Sequence, residues 1–254
     1  MTPQHRTQIA CCTLVLTLFG SLLFSLPAHS QDGDFGIPEI DGFWGRGQCL
    51  PPNNACTVIG VDHPAVTARA KGFRAAFDQL AIPKYDCAPT PLPHLFTDPY
   101  SFQIEQLSDR VILTYEKDDI VRTIWLEGNG HPTPGVGDFF AHGYSIGRYE
   151  GNQLVVETNH FAFDPAGIDN DYILPSSTQK RVTERYSSDG ERLRFEITTE
   201  DPIFLLEPVS YVLESQRVEG PLALPWACDT EAARENLPLV PSKYPEDPPV
   251  IRLR

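Results

Sequence analysis

The chain has 254 residues, with 20 Lys and Arg against 34 Asp and Glu, giving a formal net charge of −14. This length suits one domain with arms. The acidic balance repels nucleic acid and anionic lipid, so neither is an expected partner.

Residues 1–30 read as a secretory signal peptide. Met1 to Arg6 carry one positive charge, Ile9 to Leu26 are almost wholly apolar, and the small residues Ala28 and Ser30 precede a cut ahead of Gln31. A retained membrane anchor is the alternative, because the apolar run is near spanning length. The expected mature protein is exported, periplasmic or extracellular, and free of the membrane after cleavage. Cys11 and Cys12 leave with the signal, so Cys49, Cys56, Cys87 and Cys228 remain. An even count in an exported chain argues for disulfides, with three possible connectivities. The favoured one pairs Cys49 with Cys56 across a short Pro/Asn loop, and Cys87 with Cys228 across the main domain. There is no CxxC pair, so no zinc site is expected.

Residues 31–98 read as an N-terminal arm rich in Gly, Pro and Asn, with one helix. "DGFWGRG" (Asp41 to Gly47) suggests a short strand that lays Trp44 against the core. Val66, Ala70, Phe73, Phe77 and Leu80 recur with helical spacing on one face, Pro64 suits the first turn, and Pro83 lies past the end. Residues 99–228 change to period two. Strands are expected near 102–107, 110–117, 119–127, 144–150, 153–161, 180–188, 191–200 and 208–218, joined at turn residues such as Gly151-Asn152 and Asp189-Gly190. This predicts a mainly all-β fold: an antiparallel up-and-down, lipocalin- or calycin-like eight-stranded barrel with one N-terminal helix and irregular arms. A two-sheet sandwich is the runner-up. The segments 129–141 and 163–178 read as long loops, of the kind that line a site. Residues 229–254 are expected to make a short helix and then a Pro-rich tail.

Gly143, Ser145 and Gly147 spell G-x-S-x-G, the pattern of a nucleophilic serine on a strand-to-helix turn. "RYEGNQLVVET" follows, and Glu150-Gly151-Asn152 is a turn before a β-branched run. Strand, turn and strand stand where the helix is required, so the serine signal reads as accidental.

"AHGYSIGRYEGNQLVVET" resembles the signature of a broad family of exported bacterial proteins, whose members read close to G-H-S-I-G-R-W-E-G-D-T-L-V-V-D-T. "YEKDDIVRTIWLEGNGHP", "VTERY" and "EDP" match further family stretches, and the likeness runs from about Cys87 to Cys228. The resemblance implies an exported β-rich fold with Cys87 paired to Cys228, and it brings no established activity. Two positions depart from it. Tyr144 stands where the family has His before Ser-Ile-Gly, and Pro175-Ser176-Ser177 stands where it has Pro-His-Ser.

Candidate chemistry gathers around the same stretch. His131, His142 and Tyr144 are the expected proton-transfer groups, with Arg148 and Glu150 on alternate positions of one strand to orient a ligand or stabilise charge. Glu116, Arg122, Phe139, Phe140, His160, Phe161 and Tyr172 are expected to line the ligand site, and Asp119 and Glu157 are on neighbouring strands. An inward-facing Arg148 and Glu150 would need partners or shifted pKa values, whereas on an outward face they would be solvated. The histidine spacings fit no helical metal motif, and no dinucleotide or phosphate motif is present, so metal, nicotinamide, flavin and ATP are not expected. Two functions follow. One is a cofactor-independent acid–base enzyme, of isomerase, cyclase, hydratase or hydrolase type, acting on a hydrophobic small molecule. The other is a lipocalin-like carrier of an apolar ligand. The sequence does not specify an oligomeric state.

Overall fold

The computed structural model describes residues 37–50, 62–78, 81–118, 120–169, 173–223 and 228–232. The expected signal peptide, the tail beyond 232, and Cys56, Leu80, Asp119 and Tyr172 lie outside them. The strands are β1 (Gly42–Trp44), β2 (Gln48–Cys49), β3 (Phe102–Gln106), β4 (Arg110–Tyr115), β5 (Val121–Leu126), β6 (Tyr144–Glu150), β7 (Gln153–Asn159), β8 (Asp164–Asp169), β9 (Leu174–Ser176), β10 (Arg181–Ser188), β11 (Arg192–Glu200) and β12 (Val209–Gln216). One main helix, α1 (Ala68–Ala76), precedes the long strands. It starts at Thr67, whose hydroxyl accepts from the Ala70 N–H at 3.1 Å.

The fold is mostly β. A single sheet runs β1-β3-β4-β5-β6-β7-β10-β11-β12-β2 and curls into a half-barrel. Period-two patterning builds it: in β11, Leu193, Phe195 and Ile197 are buried while Arg194 is exposed. The β6–β7 hairpin closes on Gly151-Asn152, with Gly151 at φ +59° as a two-residue hairpin turn requires. Trp44 is fully buried, as the sequence suggested, and its indole N–H donates to the Ile40 carbonyl at 2.8 Å.

Three expectations need correction. The sheet is not uniformly antiparallel, because β5 and β6 pair in parallel through Ile124↔Ser145 and Leu126↔Gly147. Residues 127–143 carry the chain from one end of the sheet to the other, and a hydrophobicity pattern does not report strand direction. The arm is not separate from the sheet. Residues 42–49 supply β1 against β3 and β2 against β12, while Gly45 N donates to Gln216 O at 2.8 Å and Val218 N to Phe43 O at 3.0 Å. Strands of two and three residues are too short to show a period. Finally, the segment 163–178 contains the β8–β9 hairpin rather than an open loop. Pro165, Gly167 and Pro175 break its alternation.

Inside the curl, Ile104, Val111, Leu113, Ile124, Leu154, Val156, Val182, Leu193, Phe195, Ile197 and Leu213 form one apolar core. At the end where β6, β10 and β12 begin, α1, the β8–β9 hairpin and residues 201–208 make a plug. Val66, Ala70, Ile168, Leu174, Phe204 and Leu205 form its own apolar cluster. The Cys87–Cys228 disulfide is formed, with the two Cα atoms 5.8 Å apart. The second expected bridge involves Cys56 and falls outside the described residues.

Candidate functional site

Strand β6 divides the predicted residues between two environments. Ser145 and Gly147 face the core, and Tyr144, Arg148 and Glu150 face out. Gly147 is a packing residue: a Cβ there would come within 2.8 Å of Ile124 Cγ2 and 3.2 Å of Leu154 Cδ1. Gly143 holds φ +70°, and a Cβ on it would meet Thr158 Cγ2 at 2.6 Å and Asn159 O at 2.7 Å. The glycines of the G-x-S-x-G pattern therefore serve close packing within a sheet.

Ser145 belongs to a buried polar network. Its Oγ accepts from Arg122 Nη2 at 2.8 Å and Nε at 3.2 Å, and lies 3.0 Å from Thr158 Oγ1. Arg122 also donates through Nη1 and Nη2 to the Glu184 carboxylate at 2.7 and 2.6 Å, and Tyr186 Oη donates to the same carboxylate at 2.5 Å. Burial by itself would lower the Arg122 pKa, but the charge and hydrogen bonds of Glu184 outweigh it and hold it raised. Burial, reinforced by Glu184, raises Tyr186. Arg122 was expected to line a ligand site. Its fork is instead filled by protein side chains inside the curl.

Arg148 and Glu150 do not look into a cavity. Arg148 Nε donates to Glu150 at 2.7 Å and Nη1 to Glu157 at 2.9 Å, while Arg185 reaches Glu150 at 3.1 Å. Their side chains are 31% and 42% exposed, so they form a solvated ladder on the outer face of the sheet. Arg148 is held raised by hydrogen bonds to Glu157 and Glu150, and Glu150 is held low by those from Arg148 and Arg185. Of the two orientations the sequence left open for this face, the outward one is observed. The pleat turns odd and even positions of β6 to opposite sides, and Ser145 takes the inner one.

Tyr144 begins the strand, at the plugged end, and there it meets two histidines. Its hydroxyl lies 2.6 Å from His131 Nδ1 and donates to the Pro132 carbonyl. The His160 ring packs edge-on against Tyr144, with centroids 6.4 Å apart, and Phe140 stands 6.5 Å away. Partial burial raises the Tyr144 phenol, so it stays protonated at neutral pH. His160 sits at φ +56°, an uncommon conformation for a residue with a side chain. Its Nδ1 is 3.1 Å from the Asp138 carbonyl. A carbonyl only accepts, so Nδ1 carries the hydrogen and a neutral ring leaves Nε2 as the acceptor. Backbone bonds from Phe140 N to His160 O and from Ala162 N to Phe140 O hold the two segments together.

His160 also lines an open groove of about 580 Å³ at this end. Phe139, Leu205 and Leu206 supply apolar wall, and Arg181, Glu200 and Glu207 supply charge. Phe139, Phe140 and Leu206 are exposed, as is Phe163 beyond them. This groove lies outside the curled sheet, whose interior is occupied by the apolar core and the Arg122–Glu184 network.

The other predicted residues lie apart from the groove. His142 donates through Nε2 to the Thr90 carbonyl at 3.0 Å, and burial lowers its pKa, only partly offset by that bond. Glu116 ties the backbone, accepting from Ser101 N and Ala223 N at 2.9 Å each. Phe161 is fully buried. Among the described residues, no group of three or more His, Cys, Asp and Glu side chains is placed to hold a metal ion.

Three residues near the groove escaped the sequence reading. Lys180 is 1% exposed, and its ammonium donates to Leu92 O at 2.8 Å and Gly167 O at 2.9 Å and lies 4.3 Å from the centre of the Phe161 ring. Burial lowers its pKa to about 8, with Asp164 and Asp201 opposing. Asp201 is buried and accepts from Ser177 N, Ser177 Oγ, Ile203 N and Phe204 N. Arg181 is exposed at the start of β10. A lysine or arginine entering a strand carries no sequence signal of burial. The pair Ser177 and Asp201 could have been suspected only from the Asp201-Pro202 turn.

No family model matches the chain, and no curated protein matches it. Among the described residues, no helix is long and apolar enough to cross a membrane.

Proposed function

We propose that the protein is a cofactor-independent acid–base enzyme acting on a hydrophobic small molecule held in the groove at the plugged end. One observation carries this reading: His160 lines a groove with an apolar wall and packs edge-on against Tyr144, whose hydroxyl lies 2.6 Å from His131 Nδ1. His160 Nε2, left as an acceptor by the Nδ1–H bond to Asp138, takes a proton from the substrate. The His131–Tyr144 pair returns one at a second position, so the net reaction is an isomerisation, or a cyclisation where the new bond closes a ring. Arg148 and Glu150 have no part in it, and His142 pins the loop to Thr90.

The barrel relationship is part of the same proposal. The β6-β7-β10-β11-β12 run of antiparallel neighbours, with residues 42–49 reaching both edge strands, favours a lipocalin-like ancestry. The ligand site has then moved from the interior to the plugged end. The Cys87–Cys228 disulfide favours an exported protein, as does the family likeness carried by residues 141–158.

The exposed Phe139, Phe140, Phe163 and Leu206 favour a second reading, a carrier that binds an apolar ligand unchanged. Incubating the mature protein with a metabolite extract of its producing organism separates the two. The enzyme converts a compound, and His160→Gln and Tyr144→Phe slow that conversion at unchanged melting temperature. A compound retained unchanged at one per chain, with no conversion, overturns catalysis in favour of the carrier.

A further inference from the structure

Seven arginines lie on the strands, and six of them are ion-paired: Arg110 with Asp109, Arg122 with Glu184, Arg148 and Arg185 with Glu150, Arg192 with Asp189, and Arg194 with Glu196. Among the described residues, Arg181 is the exception. It opens β10 on the wall of the groove, directly across from Glu200 of β11, and the two side chains make no ion pair. Glu200 and Glu207, on the same wall, are also without a partner among the described residues. A sheet that neutralises its other strand arginines leaves one guanidinium and two carboxylates open where Phe139, Leu205 and Leu206 provide apolar surface.

We infer that the groove takes a zwitterionic ligand with an apolar body, an apolar α-amino acid or a short peptide of such residues. Its carboxylate sits on Arg181, its ammonium sits on Glu200 and Glu207, and its side chain lies on Phe139 and Leu206. The guanidinium fork matches a carboxylate with two parallel hydrogen bonds. A carboxylate alone would meet Glu200 opposite, and an amine alone would meet Arg181, so a ligand bearing both signs fits the wall better than either. His160 borders the same space and would face the atoms between the two charged ends. Asp201 is fully taken up by Ser177 and the turn at 202–204, so it does not compete for the ligand.

This inference rests on reading the groove as the substrate site, and its test is a binding measurement independent of turnover. The full mature chain is titrated by calorimetry with phenylalanine and leucyl-phenylalanine, and with their N-acetyl and C-terminal amide derivatives. Saturable binding of at least one zwitterion is expected, weakened about tenfold or more by blocking either end. Arg181→Met should erase the penalty for amidation and keep that for acetylation, and Glu200→Gln with Glu207→Gln should do the reverse. All three side chains are exposed, and an unchanged melting temperature confirms the fold of each variant. Equal binding of blocked and free forms, binding of none of them, or an Arg181→Met variant with the original preference overturns the inference. Binding without conversion would defeat the acid–base reading and leave this one standing. Conversion of an uncharged compound would do the opposite.

Discussion

Arg122 and Glu184 face each other inside the curled sheet, with Nη2 and Oε1 2.6 Å apart and both side chains almost wholly shielded from water. Ser145, Thr158 and Tyr186 complete the shell, so every strong group of the pair has a partner. Such a pair contributes less than its attraction suggests, since both charges were desolvated to make it, but breaking it strands a charge.

Arg122→Met should therefore lower stability by about 3–5 kcal/mol, through an uncompensated buried carboxylate. Adding Glu184→Leu to Arg122→Met should recover part of that loss. Denaturant unfolding of the two single variants and the double variant checks this. A double variant less stable than Arg122→Met would show that the network stabilises beyond its charges.

Ser145→Ala should cost about 1–3 kcal/mol, the price of leaving the buried Arg122 Nε without its acceptor, while Nη2 keeps Thr158 and Glu184. A serine-directed fluorophosphonate should leave the wild-type protein unlabelled at Ser145. Mass spectrometry of the treated protein decides the point, and stoichiometric labelling there would restore the hydrolase reading.

Lys180 should make stability depend on alkaline pH. Burial depresses its folded pKa to about 8 against an ordinary value of 10.5. Between those values the unfolded chain holds more protons, so folding is increasingly favoured as pH rises through the window. The penalty is fully present below about pH 8 and relieved above about pH 10.5, with a total on the order of 3 kcal/mol. The stability difference between wild type and Lys180→Met, followed by urea midpoint from pH 7 to pH 10, isolates this residue. A difference that does not vary with pH would place its folded pKa near the ordinary value.

Arg148→Ala and Glu150→Gln should leave both the melting temperature and any turnover nearly unchanged, and added salt should shrink what effect remains. These residues sit in an exposed ladder with Glu157 and Arg185, away from the groove. A large loss of turnover in either variant, with the fold intact, would return the outer face of β6 to the site.

The periodicity of the chain by itself determined the β-rich class, the position of α1 and most strands, the packing of Trp44, and the hairpin that removed Ser145 from consideration. These features are local: a strand or a turn is written in adjacent residues. His131 and His142 could be nominated beside Tyr144 from the sequence, but not that His160 would join Tyr144 and His131 while His142 turned to Thr90. That depended on residues 127–143 crossing to the plugged end and on the parallel β5–β6 pair, which no period in the sequence encodes. The tertiary structure alone decided that Ser145 faces Arg122 while Arg148 faces water. It also packed the β8–β9 hairpin with α1 and residues 201–208, buried Lys180, and left Arg181 open beside Glu200. The pleat fixes that neighbouring residues point to opposite sides, and only packing against the rest of the chain decides which side is inside.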